Sequence, residues 1–301
     1  MTNTEKYITI PKVNLTQNLE EKEMKKLAVL FLAVMMIVTV AACGQKVPDE
    51  VDVNPEITEA SDWAYIAEKN DLIIGITYFE PMNYKDEAGK LIGFETEFAE
   101  AVTAKMGVTP VFQVIEWASK EIELNAKKID AIWNGMTITD ERMQTMEMSP
   151  AYMENRQVMV IRATDAELYS DDANIAGAKV VAEKGSAGEE VATSDELFTG
   201  VSYTAVDAQS KALLEVKAKT ADIAVLDYTM ALALTDDGSD FGDLIIINGA
   251  RFEEEGYGVA FRKNSPETLA KWTAAVEELT ADGTLLAIAE KYNLEELLLL
   301  K

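Results

Sequence analysis

The chain has 301 residues, 48% of them hydrophobic and 8% aromatic, and 53 acidic against 27 basic residues give it a formal net charge of −26. This length suits one large domain or two lobes, the hydrophobic content excludes a disordered acidic protein, and the charge makes nucleic acid a poor partner. The absence of histidine excludes a Ser/His/Asp triad, a Cys/His pair and a histidine-ligated zinc site, and we expect neither a metal nor a cofactor.

The first elements along the chain concern export. Residues 1–23 are polar and precede a plausible start at Met24, so we exclude them from the fold as an unstructured leader or a mis-assigned gene start. Residues 24–42 begin with two lysines and continue as an uncharged apolar run that ends in small residues, which is typical of a signal peptide. The stretch "VAAC" resembles a lipoprotein cleavage motif, which implies lipidation of Cys43. The alternative is an uncleaved signal anchor with an idle thiol.

The segment that follows the signal is predicted to be a tether. Residues 43–60 are acidic, contain two prolines and show neither a helical nor a strand period. The lipid anchor at Cys43 would then be the protein's contact with the membrane, and several acyl chains would be needed for stable attachment.

Regular structure is predicted to begin near residue 61. "LIIGITYF" (72–79) has the pattern of a buried strand, residues 86–89 form the turn of a hairpin, and an amphipathic helix ends at Gly107. "VFQVIEW", "SKEIELNAKKI" and "DAIWNG" then predict a strand, a helix and a strand. This alternation predicts parallel sheets flanked by helices.

A weak internal echo suggests two similarly built lobes. "VIEWASKEIELNAKKIDAIWNG" and "TAVDAQSKALLEVKAKTADIAVLD" share an acidic residue, a helix rich in lysine at its end, an aspartate and a buried strand. Two ordinary helix–strand units could also produce this match by chance. Each copy ends in polar groups, Asn134-Gly135 in one and Asp227 in the other. Ligands of open α/β sheets bind outside such strand ends, so a cleft between two sheets is the expected site.

The stretch "GMTITDER" is the first candidate for binding chemistry. Thr137 and Thr139 can donate hydroxyls or cap a helix that begins near Asp140, and Arg142 lies one turn later. Amide hydrogens and a guanidinium that converge on one point form a carboxylate site. The alternatives are that Arg142 lies on the surface or pairs with Asp140 or Glu141.

Asp227 is the second candidate. It follows the apolar run "IAVL" and is expected at a strand tip, where it either binds an ammonium group or caps the helix "YTMALALT". Together with Arg142 it would bind a zwitterion. Phe79 and Trp117, each just beyond a strand, could stack on a ligand or belong to the core.

The order of these segments resembles the extracellular solute-binding protein family 3, the amino-acid receptors of ABC importers, over about residues 62 to 293. "NGMTITDER" and "GFETEFA" are its most specific marks. The resemblance implies an α/β fold of two lobes, each a mainly parallel sheet flanked by helices. It places the first lobe at 61–155 and 256–301 and the second at 156–255. Two crossings, near 152–156 and 255–258, would join the lobes.

The resemblance also implies roles in the site. Phe79 and Trp117 would sandwich the ligand side chain, while Arg142 binds the α-carboxylate and Asp227 the α-ammonium. Backbone and hydroxyl groups would come from Asn134, Gly135, Thr137, Gly185, Ser186 and Ala187. Glu183 stands where glutamine-binding relatives carry lysine, which favours a cationic or larger polar side chain in the ligand.

The sequence therefore predicts a monomeric, lipid-anchored receptor at the outer face of the cytoplasmic membrane, on the periplasmic side if the cell has two membranes. It would deliver a free amino acid to an ABC permease and catalyse no reaction. One alternative is an exported dehydratase of cyclohexadienyl or arogenate type, since such enzymes also hold a carboxylate with an arginine. A calcium store built on "DDGSD" and "FEEEGYG" is another, although the first lacks the twelve-residue EF-hand loop.

Overall fold

The computed structural model describes residues 61–236 and 238–301, which lie within one compact unit that begins at Thr58. The predicted leader, signal peptide, tether and lipidation site at Cys43 lie outside these residues. None of the helices in the described part has the length and apolar character needed to cross a membrane.

The first half of the described chain alternates strands and helices, as expected. Its elements are α1 (Asp62–Lys69), β1 (Asp71–Ile76), β2 (Tyr84–Lys85), β3 (Leu91–Ile92), α2 (Phe94–Met106), β4 (Thr109–Val114), α3 (Lys120–Asn125), β5 (Ala131–Thr137), α4 (Asp140–Thr145), β6 (Met146–Met148) and β7 (Met153–Arg162).

The second half continues this alternation and ends with two helices. Its elements are β8 (Lys179–Glu183), α5 (Ala187–Ser194), β9 (Ser202–Val206), α6 (Gln209–Lys217), β10 (Ile223–Asp227), α7 (Tyr228–Leu234), β11 (Leu244–Ile247), β12 (Glu254–Arg262), α8 (Pro266–Ala281) and α9 (Thr284–Lys291).

The strand order is β4-β1-β5-β12-β7-β10-β8-β9. Strands β4, β1 and β5 are parallel, as are β10, β8 and β9, whereas β12 runs antiparallel to β5 and β7 antiparallel to β10. We call the side with β4, β1 and β5 the first lobe and the side with β10, β8 and β9 the second lobe. The two-lobed α/β fold predicted from the sequence is confirmed.

Strands β7 and β12 pair with one another between the lobes. Met153–Arg156 lies antiparallel to Glu254–Tyr257, after which β7 continues along β10 and β12 along β5. The chain therefore passes between the lobes on two paired strands. In the first lobe β12 runs antiparallel to β5, and in the second lobe β7 runs antiparallel to β10, so neither lobe has only parallel strands. The crossings predicted near 152–156 and 255–258 coincide with this pairing. The residue bounds of the lobes remain a prediction.

The first lobe is packed around an aromatic cluster. Trp133 of β5 lies 5.0 Å from Phe98 of α2 and 5.9 Å from Trp272 of α8, measured between ring centroids and both nearly edge-on or tilted. Edge-on rings 4.5 to 7 Å apart are a favourable arrangement. Because Trp272 comes from the last part of the chain, this cluster attaches the C-terminal helices to the first lobe.

The second lobe has its own apolar core. Met159 and Ile161 of β7 pack there with Val180 of β8 and Val225 of β10, all fully or almost fully buried. Val158 and Val160, which alternate with Met159 and Ile161, belong to a different core cluster, which also includes Trp133 and Trp272. Both faces of this strand are therefore covered, which is why it reads as a continuous apolar run.

A buried arginine, Arg262, binds two carboxylates at the end of the first lobe where β5 begins. Arg262 donates to Asp62 at 2.6 Å and to Asp130 at 2.8 Å, and a further N–H reaches the Ile129 carbonyl at 2.6 Å. Asp130 also pairs with Lys69. Burial by itself lowers the pKa of Arg262, but the two carboxylates raise it by more, so its net pKa is above the ordinary value.

Candidate functional site

A narrow cavity lies at the carboxyl ends of the parallel strands; its volume of about 10 Å³ is room for about one water molecule. Nine of the residues predicted to bind ligand line it: Phe79, Trp117, Asn134, Gly135, Thr137, Arg142, Ser186, Ala187 and Asp227. Gly185, which was also predicted to contribute, is not among the lining residues. Further lining residues are Thr77, Tyr78, Glu183, Gln209 and Met230. The cavity therefore has walls from both lobes, as the fold class led us to expect.

Arg142 is buried in this cavity and forms no ion pair within the described residues, although the Asp227 and Glu255 charges act on it. Thr139 caps α4 by accepting a hydrogen bond from the Arg142 amide at 3.2 Å, as the sequence predicted. The side chain is 8% exposed and donates to the Thr137 carbonyl at 2.7 Å and, weakly, to the Gly185 carbonyl at 3.5 Å. No carboxylate in residues 61–236 or 238–301 forms an ion pair with it, so it does not pair with Asp140 or Glu141. Burial lowers the pKa of Arg142.

Asp227 ends β10 and is 4% exposed. It occupies the cap position of α7, but its side chain makes no capping hydrogen bond. Instead it accepts hydrogen bonds from Asn155 at 2.6 Å, from Gln157 at 2.8 Å and from Gln209. All three donors are neutral amides, which hold the carboxylate in position without cancelling its charge. Burial raises the pKa of Asp227, and these hydrogen bonds lower it.

The supporting amides were not predicted from the sequence. Asn155 and Gln157 alternate along β7, so their side chains lie on one face of the strand. Two polar residues at a spacing of two in an otherwise apolar strand could have indicated a polar face. Gln209, at the start of α6, carried no such signal.

Two further carboxylates lie close to Asp227. Gln157 also donates to Glu255 at 2.7 Å, and burial together with the Asp227 charge raises the pKa of Glu255 to about 7. Glu183 ends β8, the parallel neighbour of β10, and lines the cavity. Acidic groups thus outnumber Arg142 here. Within the described residues no set of three Asp, Glu or Cys side chains is arranged to hold a metal ion.

Phe79 and Trp117 line the cavity and also pack in the hydrophobic core. Phe79 packs edge-on against Tyr257, with ring centroids 6.4 Å apart, and Trp117 carries the Lys120 ammonium 4.7 Å from its ring centroid. Gly135 has φ of 57°, and a Cβ there would lie 2.3 Å from the Phe79 ring. Glycine is therefore required both by the backbone and by the close approach of Phe79.

Asn134 and Ser186 each have their side chain engaged elsewhere. The Asn134 carbonyl oxygen accepts from the amide and the hydroxyl of Thr77, both at 2.6 Å, and its amide donates back to the Thr77 carbonyl at 3.1 Å. Ser186 caps α5 by accepting from the Glu189 amide at 3.0 Å. These two residues can therefore offer a ligand mainly their backbone groups and the amides at the start of α5.

A buried acid supports the first-lobe wall from behind. Glu95 is fully buried and accepts from the Gly135 amide at 2.8 Å, from Asn83 at 2.7 Å and from the Tyr152 hydroxyl. Burial raises the pKa of Glu95 to about 7 even though these three hydrogen bonds lower it. The cavity end of β5 is thereby joined to Tyr152, which immediately precedes β7.

Comparison with known proteins identifies the fold and its relatives. The model of the bacterial extracellular solute-binding proteins, family 3, matches residues 72–295. The L-cystine-binding protein TcyJ of Escherichia coli strain K12 is 28% identical over 229 residues, which cover 75% of this chain and 84% of that protein. The arginine-binding extracellular protein ArtP of Bacillus subtilis strain 168 is 27% identical over 272 residues, 89% of this chain and 98% of that protein.

A solved structure is similar over nearly its whole length. It is a substrate-binding protein of an ABC uptake transporter from Streptococcus pneumoniae with bound histidine. The TM-score is 0.74 at 27% identity, with 80% of this chain and 99% of that chain covered.

Proposed function

The chain belongs to the bacterial extracellular solute-binding proteins, family 3, and from this premise we propose that it binds a free amino acid between its lobes and delivers it to the permease of an ABC importer. The observation that carries this proposal is the pair Arg142 and Asp227, which line one cavity and are both buried. Among the described residues neither has an ion-pair partner. A zwitterion supplies both missing charges.

In this proposal the α-carboxylate binds Arg142 and the amides at the start of α5, and the α-ammonium binds Asp227. A micromolar ligand requires about 8 kcal/mol. Charge-assisted hydrogen bonds contribute roughly 1.5 to 3 kcal/mol each. The two charged ends therefore account for a large share, and burial of the ligand side chain against Phe79 and Trp117 adds the rest.

The function requires binding and closure of the lobes but no reaction of the ligand. Lys120 of the first lobe already donates to the Gly185 carbonyl of the second lobe at 2.9 Å. A ligand that touches both walls adds to such contacts and favours the closed form over the open one. The relatives described above are named as binding proteins, which supports a receptor over the dehydratase alternative.

We further propose that the protein acts outside the cytoplasmic membrane as a monomer. Export would use the signal in residues 24–42, and lipidation of Cys43 with the tether to residue 60 would keep the folded part near the permease. Labelling with a fatty-acid analogue in cells, with Cys43→Ser as control, tests the anchor. Label on the Cys43→Ser protein would contradict it.

Calorimetry of the purified protein with the twenty amino acids and cystine tests the binding function. At least one amino acid should bind with a Kd in the micromolar range or below. Asp227→Asn should weaken binding of that amino acid by about 2 kcal/mol or more, because the ligand ammonium loses a buried charged partner. Binding of the deaminated analogue should change little. Equal losses for both ligands would contradict the ammonium role. Turnover of prephenate or arogenate would instead favour the dehydratase.

A further inference from the structure

Glu183 is a buried acid that the zwitterion site leaves unused. It is 3% exposed, lines the cavity and ends β8 beside the strand that carries Asp227. Within residues 61–236 and 238–301, its Oε1 atom is buried and has no hydrogen-bond partner. Leaving a buried carboxylate oxygen unpaired costs free energy, so an unpaired oxygen on a cavity-lining residue points to a donor that arrives with the ligand.

The charged groups around Glu183 do not neutralise it. Asp227, Asp207 and Glu116 contribute negative charge, and Lys120 contributes the positive charge. The Lys120 ammonium, however, donates to the backbone carbonyls of Gly185 and Trp117. It forms no ion pair with Glu183 among the described residues, so the Glu183 carboxylate remains available to the cavity.

We propose that Glu183 binds a second cationic group of the ligand, so that the protein selects amino acids whose side chain ends in an ammonium or a guanidinium. This inference rests on the proposed function, because Arg142 and Asp227 must first be assigned to the α-carboxylate and α-ammonium. Those two residues balance a zwitterion, which leaves Glu183 as the cavity-lining acid without a partner on its buried oxygen in the described part of the chain. The aliphatic part of the side chain would lie against Phe79 and Trp117.

Other side-chain chemistries satisfy this arrangement less well. A neutral side chain leaves Glu183 without a cation, and an acidic one adds a fifth acidic group beside Glu183, Asp227, Asp207 and Glu116. Cystine carries a second ammonium but also a second carboxylate, which would be placed in the same acidic surroundings. A cationic amino acid is therefore expected to bind more tightly than cystine.

A change in protonation should accompany this binding. Burial, with a further contribution from the Asp227 charge, raises the pKa of Glu183 to about 8, although Lys120 opposes the shift. A cation beside the carboxylate lowers the pKa again, so binding near pH 7 should release a proton. Affinity for L-arginine should rise between pH 6 and pH 8, because more Glu183 is ionised beforehand. L-citrulline, which is neutral and of similar shape, should show no such rise.

The test uses calorimetry to measure binding of L-arginine, L-citrulline and L-cystine. The proteins are the wild type, Glu183→Gln and the control Glu196→Gln, which changes an exposed acid of the second lobe. We expect the wild type to prefer L-arginine to L-citrulline by about 10- to 100-fold, as for one charge-assisted contact. Glu183→Gln should remove this preference by weakening L-arginine alone, and Glu196→Gln should leave it unchanged. Thermal melting of each variant verifies folding.

Three results would overturn the inference. They are equal affinities for L-arginine and L-citrulline in the wild type, equal losses for both ligands in Glu183→Gln, and L-cystine binding as tightly as L-arginine. In each case amino-acid binding itself still stands. If none of the twenty amino acids or cystine binds the wild type, the proposed function fails as well.

Discussion

Two buried arginines, Arg262 near the start of β5 and Arg142 just beyond its end, differ in whether they form ion pairs. Arg262 is ion-paired with Asp62 and Asp130, whereas Arg142 reaches only backbone carbonyls. The net pKa of Arg262 is raised and that of Arg142 is lowered. The protein therefore neutralises a buried charge by direct ion pairs at the start of β5 and leaves one without an ion pair where we propose that ligand binds.

The aspartates show the same difference. Asp130, beside Arg262, is fully buried and has two cationic partners. Asp227, in the cavity, is bound by three neutral amides. Amides hold the carboxylate in one orientation while its charge remains available, which is the pre-organisation that a binding site requires.

The largest expected effect concerns the stability contributed by the ion-paired arginine, Arg262. Arg262→Met should lower the free energy of unfolding by about 3 to 5 kcal/mol, because Asp62 and Asp130 lose their buried cation. Urea denaturation measures the change, and the ligand affinity of the folded fraction should stay the same. The control Arg251→Met breaks an exposed ion pair with Asp172 and should cost less than about 1 kcal/mol. Equal losses of unfolding free energy in the two variants would contradict the claim that the buried ion pairs of Arg262 stabilise the protein more than an exposed pair does.

The second prediction concerns the cavity arginine. Arg142→Met should weaken amino-acid binding by about 2 to 5 kcal/mol, because the ligand carboxylate is left buried and unpaired. The stability of the ligand-free protein should change by less than about 1 kcal/mol, since no ion pair is broken. Calorimetry and urea denaturation of the same preparation separate the two quantities. A large loss of stability with unchanged affinity would make Arg142 a second structural arginine.

Two glycines provide a third, smaller test. Gly135→Ala introduces a side chain at positive φ and against Phe79, whereas Gly107→Ala does so at positive φ with nothing within 4 Å. Both should lose about 1 kcal/mol of stability from the backbone conformation. Gly135→Ala alone should also displace Phe79 and weaken ligand binding by about tenfold, or 1.4 kcal/mol. Calorimetry compares the two variants. Unchanged affinity in Gly135→Ala would place Phe79 outside the binding surface.

The last prediction concerns how stability depends on pH. The folded-state pKa of Glu183, about 8, exceeds the ordinary value of 4.5, so the folded protein binds this proton more tightly than the unfolded chain. The contribution of Glu183 to stability is present below pH 4.5 and is lost as pH rises towards 8, at up to about 1.4 kcal/mol per pH unit. Denaturation at several pH values should show a shallower decline in Glu183→Gln. Parallel curves would mean that Glu183 is ionised throughout.

The sequence predicted the α/β fold, and the strand-end pattern with the family resemblance named residues that the structure places around one cavity. The capping of α4 by Thr139 was also predictable, because both partners lie within one turn. The sequence did not predict that the Asn134 side chain binds Thr77, or that Asn155, Gln157 and Gln209 hold Asp227. These contacts join residues 18 to 72 positions apart in the chain.

The sequence by itself determined which charged side chains the protein has, where its strands end and which helices can be capped locally, since these depend on neighbouring residues. Only the tertiary structure decided which of the buried charges are neutralised. Ion pairing requires two groups within about 4 Å, and that distance is set by how separate strands pack rather than by their order in the chain. Only the folded structure therefore shows that Arg142 lacks an ion pair and that Glu183 has an unpaired oxygen within the described residues.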